Sequence, residues 1–202
     1  MIYPHELQGL IDSLSPINPR DYDHSDIHCI KDVFFDALST HPRVLAVRCT
    51  LTVPQDHGPN RGKTSFRSQE DLLIQFIDEF KDELSSDQQR KRAQRQRTYG
   101  SEVFYLWRAS QNMAGNMYYD LFIMVNKDEY HKISEYVGTD LSAMIIRAWA
   151  SVTRLSDIEA EECFSFSYSY KLRSNRLHFE NKLERAFDGA CSIVKRNTPI
   201  HR

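Results

Sequence analysis

Apolar residues along this chain recur with two different periods, and the switches between them predict its elements. From Ile27 to Leu38 the residues Ile27, Ile30, Val33, Phe34, Ala37 and Leu38 follow helical spacing, and Leu72, Leu73, Phe76, Ile77, Phe80 and Leu84 do so again. Ser68 and Asp71 stand where the free amides of that second helix need partners. Between the two, HPRVLAVRCTLTVP alternates: Leu45, Val47, Cys49 and Leu51 against Val44, Ala46, Arg48 and Thr50. It reads as a strand that Pro54 ends. EVFYLWRA and MYYDLFIMVN are two further strands, and their short spacer QNMAGN predicts an antiparallel hairpin. Helices are expected over about Lys127 to Tyr136 and over Leu141 to Arg154, the latter with Met144, Ile145, Ala148, Trp149 and Val152 inward. ECFSFSYSYKL alternates strictly, with Phe164, Phe166, Tyr168 and Tyr170 on one face and small or polar residues on the other. A last helix, about Leu177 to Lys195, carries Phe179, Leu183, Ala186, Phe187, Ala190 and Val194 on its core side.

Residues 1–25, polar and proline-containing, read as an N-terminal arm with one short helix, and residues 26–202 as one domain. The order β, α, ββ, αα, β, α predicts an α+β fold with a mainly antiparallel sheet flanked by helices. The 202 residues are 41% hydrophobic and 27% charged, which suits a globular chain with a substantial core. A net charge of -2 leaves no global attraction to polyanions, so any binding of that kind must come from a local basic patch. Four widely spaced cysteines without a CxxC pair favour reduced thiols in a cytoplasmic protein. No run approaches the roughly 18 to 20 apolar residues of a spanning helix, so no membrane is expected among the partners.

One position breaks the pattern. On the strand MYYDLFIMVN, Tyr118, Asp120, Phe122 and Met124 share a face that is apolar except for Asp120. A carboxylate there is either part of a polar site or an ordinary acid near a strand edge, solvated or paired with an arginine such as Arg48 or Arg108.

The same segments resemble a family, the inovirus gene 2 or YagK/YfjJ C-terminal family of filamentous phages and integrated prophages, over about His41 to Thr198. HPRVLAVRCTLTVP is similar to its first strand, usually Arg-x-Asp-Leu ending in proline, and EVFYLWRASQ to its W-x-R-E strand. MYYDLFIMVNKDEY falls on a segment typically written HYHLALLLNKDAY, LSAMIIRAWASVTRLS on an AW-containing helix, and CSIVKRNT on YLAKADT. The N-K-D-x-Y and AWAS stretches are the most specific parts. The resemblance implies an HUH-endonuclease-like fold with an RRM-like sheet. There, two histidines hold a divalent metal and a helical tyrosine attacks a DNA phosphate. Such chemistry needs a Lewis acid and a hydroxyl nucleophile that preserves the bond energy in a covalent intermediate.

Carried over position by position, the metal histidines fall on Tyr118 and Asp120, the first-strand acid on Thr50 and the W-x-R-E glutamate on Ser110. The attacking tyrosine falls on Ser192, and Lys195 keeps the lysine. A tyrosine phenol, with a pKa of about 10, is a poor ligand for a hard ion, and one carboxylate is a weak site. No catalytic residue and no cofactor are therefore expected. Mg²⁺ or Mn²⁺ belongs only to an alternative in which an active rolling-circle nicking enzyme uses Asp120 and Ser192, or a displaced Tyr118 or Tyr119. Ser192 and Lys195 form an S-x-x-K that otherwise reads as an ordinary exposed helical pair.

Other segments leave alternatives open. Arg90, Lys91, Arg92, Arg95 and Arg97 form the most basic run, and Arg61, Lys63 and Arg67 in the preceding loop add to it. The run either binds phosphates with salt-dependent affinity or is a solvated helix end favoured by the helix dipole. The aromatic face of FSFSYSY either stacks on bases or packs as core. His24 and His28, with Asp26 and Cys29, are the one helically spaced histidine pair. The expected function is that of a catalytically degenerate replication-initiator-like protein of a phage or prophage, a DNA-binding or regulatory factor. Its partner would be single-stranded or replication-origin DNA. A module that binds a host or phage protein is the further alternative.

Overall fold

The structure, a computed structural model, describes residues 3–53, 69–100, 102–112, 115–130 and 141–194. Its elements are α1 (Pro4–Ser13), a 3-10 turn (Pro19–Asp21), α2 (His24–Thr40), β1 (Arg43–Thr52), α3 (Gln69–Ala93), β2 (Phe104–Gln111), β3 (Met117–Asn126), α4 (Leu141–Thr153), α5 (Asp157–Glu162), β4 (Phe164–Arg173) and α6 (Phe179–Cys191). The four strands form one sheet in the order β2-β3-β1-β4, with every neighbouring pair antiparallel. The α+β architecture expected from the alternating periods is what the chain adopts.

Helices cover both faces, so the central strands β1 and β3 are apolar on both sides. Leu45, Val47, Cys49 and Leu51 of β1 pack with Tyr119, Leu121, Ile123 and Val125 of β3 in one cluster with α3 and α4. Val44, Ala46, Phe122 and Met124 belong to a second cluster with α1, α2 and α6. Eleven residues of α4 are buried, as suits a helix that is apolar all round. Trp149 stacks edge-on against Phe76 of α3 at 5.8 Å and Tyr119 of β3 at 5.9 Å, which places α4 between α3 and the sheet. The first 25 residues contribute Leu7, Ile11 and Leu14 to the second cluster. Replacing such a fully buried leucine or isoleucine by alanine costs about 2–5 kcal/mol.

Three details add to the sequence pattern. First, α3 runs on past Leu84 to Ala93, held by i,i+3 and i,i+4 ion pairs from Asp87 to Arg90 and Lys91. It closes with Arg95 in the left-handed region (φ 56°), where Gln96 N donates to Lys91 O and Arg95 N to Arg92 O, a Schellman closure.

Second, Lys127–Glu129 form a turn in which Asn126 O accepts the Tyr130 amide at 3.0 Å. Asn126 Oδ1 accepts the Asp128 amide at 2.9 Å, the local side-chain bond by which asparagine caps a turn or a helix start. Residues 131–136 of that expected helix lie outside the described residues.

Third, β4 carries a bulge. Phe166 pairs with Cys49 and Tyr168 with Arg48, so Ser167 is an extra residue. Strict alternation would put all four aromatics on one face; the bulge instead sends Phe164 and Phe166 to the α3/α4 cluster and Tyr170 to the α2/α6 cluster. The aromatic stripe inferred from the sequence is thus divided between two faces, and Phe164, Phe166 and Tyr170 pack against the two cores.

Candidate functional site

The sheet face that packs on α1, α2 and α6 is apolar along only half its length. Leu106, Phe122, Arg48 and Tyr168 form one row across β2, β3, β1 and β4. The next row is Arg108, Asp120, Thr50 and Ser165, and beyond it lie Ser110, Tyr118 and Thr52. Period-two alternation keeps these rows on the face of Val44 and Ala46. The face therefore turns from apolar to polar at Arg48. Thr50, Ser110, Tyr118 and Asp120, the positions carried over from the resemblance, come together here in two adjoining rows, all half-buried.

Ser192, at the C-terminal end of α6, reaches the same place. Its hydroxyl donates to Gly189 O at 2.7 Å, lies 3.3 Å from the Tyr168 hydroxyl and accepts from Arg48 Nη1. Ser192 is thus half-buried over the sheet, which corrects the expectation of an exposed helical pair; Lys195 lies outside the described residues. Gly189 permits the approach of α6, because a Cβ there would sit 2.8 Å from Tyr170 Oη and 3.1 Å from Tyr168 Cε2.

Two arginines dominate the electrostatics. Arg48 donates to Tyr168 Oη at 2.9 Å and lies over the Tyr168 ring, 5.6 Å from its centre. Its Nη2 stands 4.0 Å from Asp120 Oδ1, and its buried Nε has no hydrogen-bond partner among the described residues. Arg108 Nη1 donates to Ile193 O at 3.1 Å. Asp120 accepts from Thr50 Oγ1 at 2.9 Å. The arginine pairing weighed as the plain reading of this acid is therefore its actual surrounding. Arg48 and Arg108 were visible in the sequence as partners for Asp120, whereas Tyr168 was visible only as part of the aromatic alternation. The signal of the arginines was an inward position on an otherwise apolar strand.

The donor set does not suit a divalent ion. Asp120 is one carboxylate among hydroxyls and two guanidinium groups, and among the described residues no three His, Cys, Asp or Glu side chains come together. At the other histidine candidates, His28 Nδ1 lies 3.4 Å from Asp32 on α2. The cysteines are free thiols. Burial pushes Cys49 up to about 12, with Asp120 adding to the rise, and burial with the Asp188 charge does the same to Cys191.

In the basic run Lys91 is half-buried, while Arg90, Arg92, Arg95 and Arg97 are exposed. Lys91 lies 2.6 Å from Glu129 and 2.7 Å from Asp87, and over the Tyr130 ring at 4.8 Å. Arg90 pairs with Asp87, Arg92 Nε donates to Thr98 at 3.1 Å, and Arg97 lies over Tyr99 at 4.8 Å. The segment is a helix end and the coil that follows it; Arg95 and Arg97 are its exposed arginines on the coil. Arg61, Lys63 and Arg67 lie outside the described residues.

The N-K-D-x-Y stretch has a structural explanation. Asn126 Nδ2 donates to Gly100 O at 2.9 Å, Asp128 pairs with Arg43 at 3.0 Å, and Tyr130 Oη donates to Leu84 O at 3.3 Å. Glu129 takes both Lys91 Nζ and the Tyr99 amide at 2.6 Å. Four side chains in one turn fasten β3 to the end of α3, the coil after it and the start of β1.

Fold and site together define an α+β domain whose sheet carries a polar field with two arginines. The YagK/YfjJ C-terminal domain family matches residues 19–202, and the chain belongs to that family. It is 29% identical over 150 residues to the uncharacterized protein YagK of Escherichia coli (strain K12), covering 71% of this chain and 71% of that protein. No solved structure matches the chain. Among the described residues no helix is long and apolar enough to cross a membrane.

Proposed function

We propose that this chain is a replication-initiator-like protein of a phage or prophage that has lost nicking chemistry and acts in the cytoplasm as a DNA-binding regulator. Its target is single-stranded or replication-origin DNA. The likeness to inovirus gene 2 proteins and to the HUH fold belongs to this proposal. The observation that carries it is the pair Arg48 and Arg108 beside Asp120, on the part of the sheet where the resemblance places a metal site. Guanidinium groups repel a metal ion and attract phosphate, which they meet with several N–H donors in a planar fork. Thr50, Ser110, Ser165 and Tyr118 surround them with hydroxyls suited to phosphate and sugar oxygens. Ser192 carries a hydroxyl, but among the described residues no imidazole or carboxylate is bonded to it as a base, and its oxygen is bonded to Arg48 and Gly189.

The test is fluorescence anisotropy with a labelled single-stranded oligonucleotide over a salt series, alongside incubation with origin-like DNA and Mn²⁺. Micromolar or tighter salt-sensitive binding, weakened at least tenfold in Arg48→Gln/Arg108→Gln, is expected, with no covalent adduct. A protein–DNA adduct, or Mn²⁺-dependent cleavage that Asp120→Ala abolishes, would establish the nicking alternative instead.

A further inference from the structure

The opposite face of the sheet, packed on α3 and α4, also ends in charge, at the other end of β1. Arg43 pairs with Arg173 across β1 and β4, and Lys171 stands opposite Leu45. Lys127, just after β3, donates its amide to Arg43 O at 2.9 Å. Asp128 pairs with Arg43. Among the described residues, four charged neighbours act on Lys127, and Arg43, Lys171 and Arg173 are three of them, with Asp128 the fourth. Burial, then the Arg173 and Lys171 charges, hold the Lys127 ammonium below the ordinary lysine range.

Cations on an edge strand serve to discourage edge-to-edge pairing, and that accounts for Lys171 on β4. It does not account for Arg43 on the central strand β1 or for Lys127 beside it. Gathering four cations around one carboxylate opposes folding through self-repulsion, and a bound polyanion relieves it.

We infer that Arg43, Lys171 and Arg173 form a second phosphate-contacting surface, reached by nucleic acid that passes over the edge strand β4 from the Arg48 face. Tyr168, on the first face, and Lys171, on the second, are three residues apart along β4, about 10 Å. The bulge at Ser167 is what brings Tyr168 into line with Arg48 and so gives the strand a binding side chain on each face. This inference rests on the DNA-binding reading and adds a site to it.

The full chain and Lys171→Gln/Arg173→Gln would be compared in binding a fluorescein-labelled single-stranded oligonucleotide, with phosphatidylserine vesicles as a second probe. Both substituted side chains are on the edge strand, and unchanged circular dichroism would verify the fold. Single-stranded binding loses roughly 0.7 in salt slope per phosphate contact, so the double variant is expected to show a slope shallower by about 1.4 and weaker binding. Wild-type affinity and slope in the double variant would overturn the inference and leave the DNA-binding reading standing. No oligonucleotide binding by the wild type would overturn both. Vesicle binding lost in the double variant while oligonucleotide binding is unchanged would assign the surface to a membrane and overturn the inference.

Discussion

Strand β3 meets carboxylates at both ends, and the two ends differ in what those carboxylates hold. After its last residue, Glu129 is nearly sealed from solvent (side chain 2% exposed) and bonded to Lys91 and to the Tyr99 amide. Near its start, Asp120 is more open (17%), takes one hydroxyl from Thr50 and leaves the Arg48 guanidinium 4.0 Å away. An acid whose partners saturate it is a fastening. An acid that stands apart from its cation steadies it without saturating it. The stretch of sequence that most resembles a family signature is the fastening, whereas the end that departs from it is the candidate site.

The largest effect is expected at the fastening. Glu129→Ala leaves Lys91 with one carboxylate and the Tyr99 amide with none, and should lower stability by about 3 kcal/mol in urea unfolding. Wild-type stability in that variant would erase the distinction between the two ends. Gly189→Ala should cost about 1–2 kcal/mol, since overpacking against Tyr170 and Tyr168 outweighs the better helix propensity of alanine. It should also weaken oligonucleotide binding by displacing Tyr168 and Ser192 from Arg48.

The lysines flanking the fastening titrate with opposite sign. Burial alone would lower Lys91, but its bonds to Asp87 and Glu129 prevail and raise it. Its contribution to stability is therefore complete below the ordinary lysine value of 10.5 and is lost as pH climbs through the higher folded value. Lys127 is lowered, so its cost is present at neutral pH and fades as pH rises through its folded value towards 10.5. Lys127→Met should accordingly raise the thermal midpoint slightly at pH 7, within about 0.5 kcal/mol, and lose that advantage near pH 11. The smallest stability change belongs to Asp120→Asn, about 0.5 kcal/mol or less. It should nonetheless tighten oligonucleotide binding severalfold, because it removes the Asp120 carboxylate beside Arg48. Weaker binding would assign Asp120 a direct part in holding the ligand.

Much of the fold was legible because each element buries a side at its own period. Leu45 to Leu51, Phe179 to Ala190 and Met144 to Trp149 all fall where the spacing puts them. What escaped depends on partners distant in sequence or on unmarked local bonds. Nothing near Leu84 announces that α3 continues for nine more residues, because the extension is held by ion pairs instead of an apolar stripe. The candidate site was readable as a set of positions, since alternation puts Thr50 with Asp120 and Ser110 with Tyr118 on facing rows. Its character was not, because Ser192 and Tyr168 join it through α6 packing and a bulge.

That bulge makes β4 unusually sensitive to length. Ser167 acts as a phase shifter: upstream and downstream of it, odd and even positions exchange sides. Loss of this one codon would swing Phe164 and Phe166, or else Tyr168 and Tyr170, out of their cavities together, while most single replacements in the strand would disturb one side chain. Relatives of this chain should therefore vary freely in composition at the serines of β4 but keep its residue count.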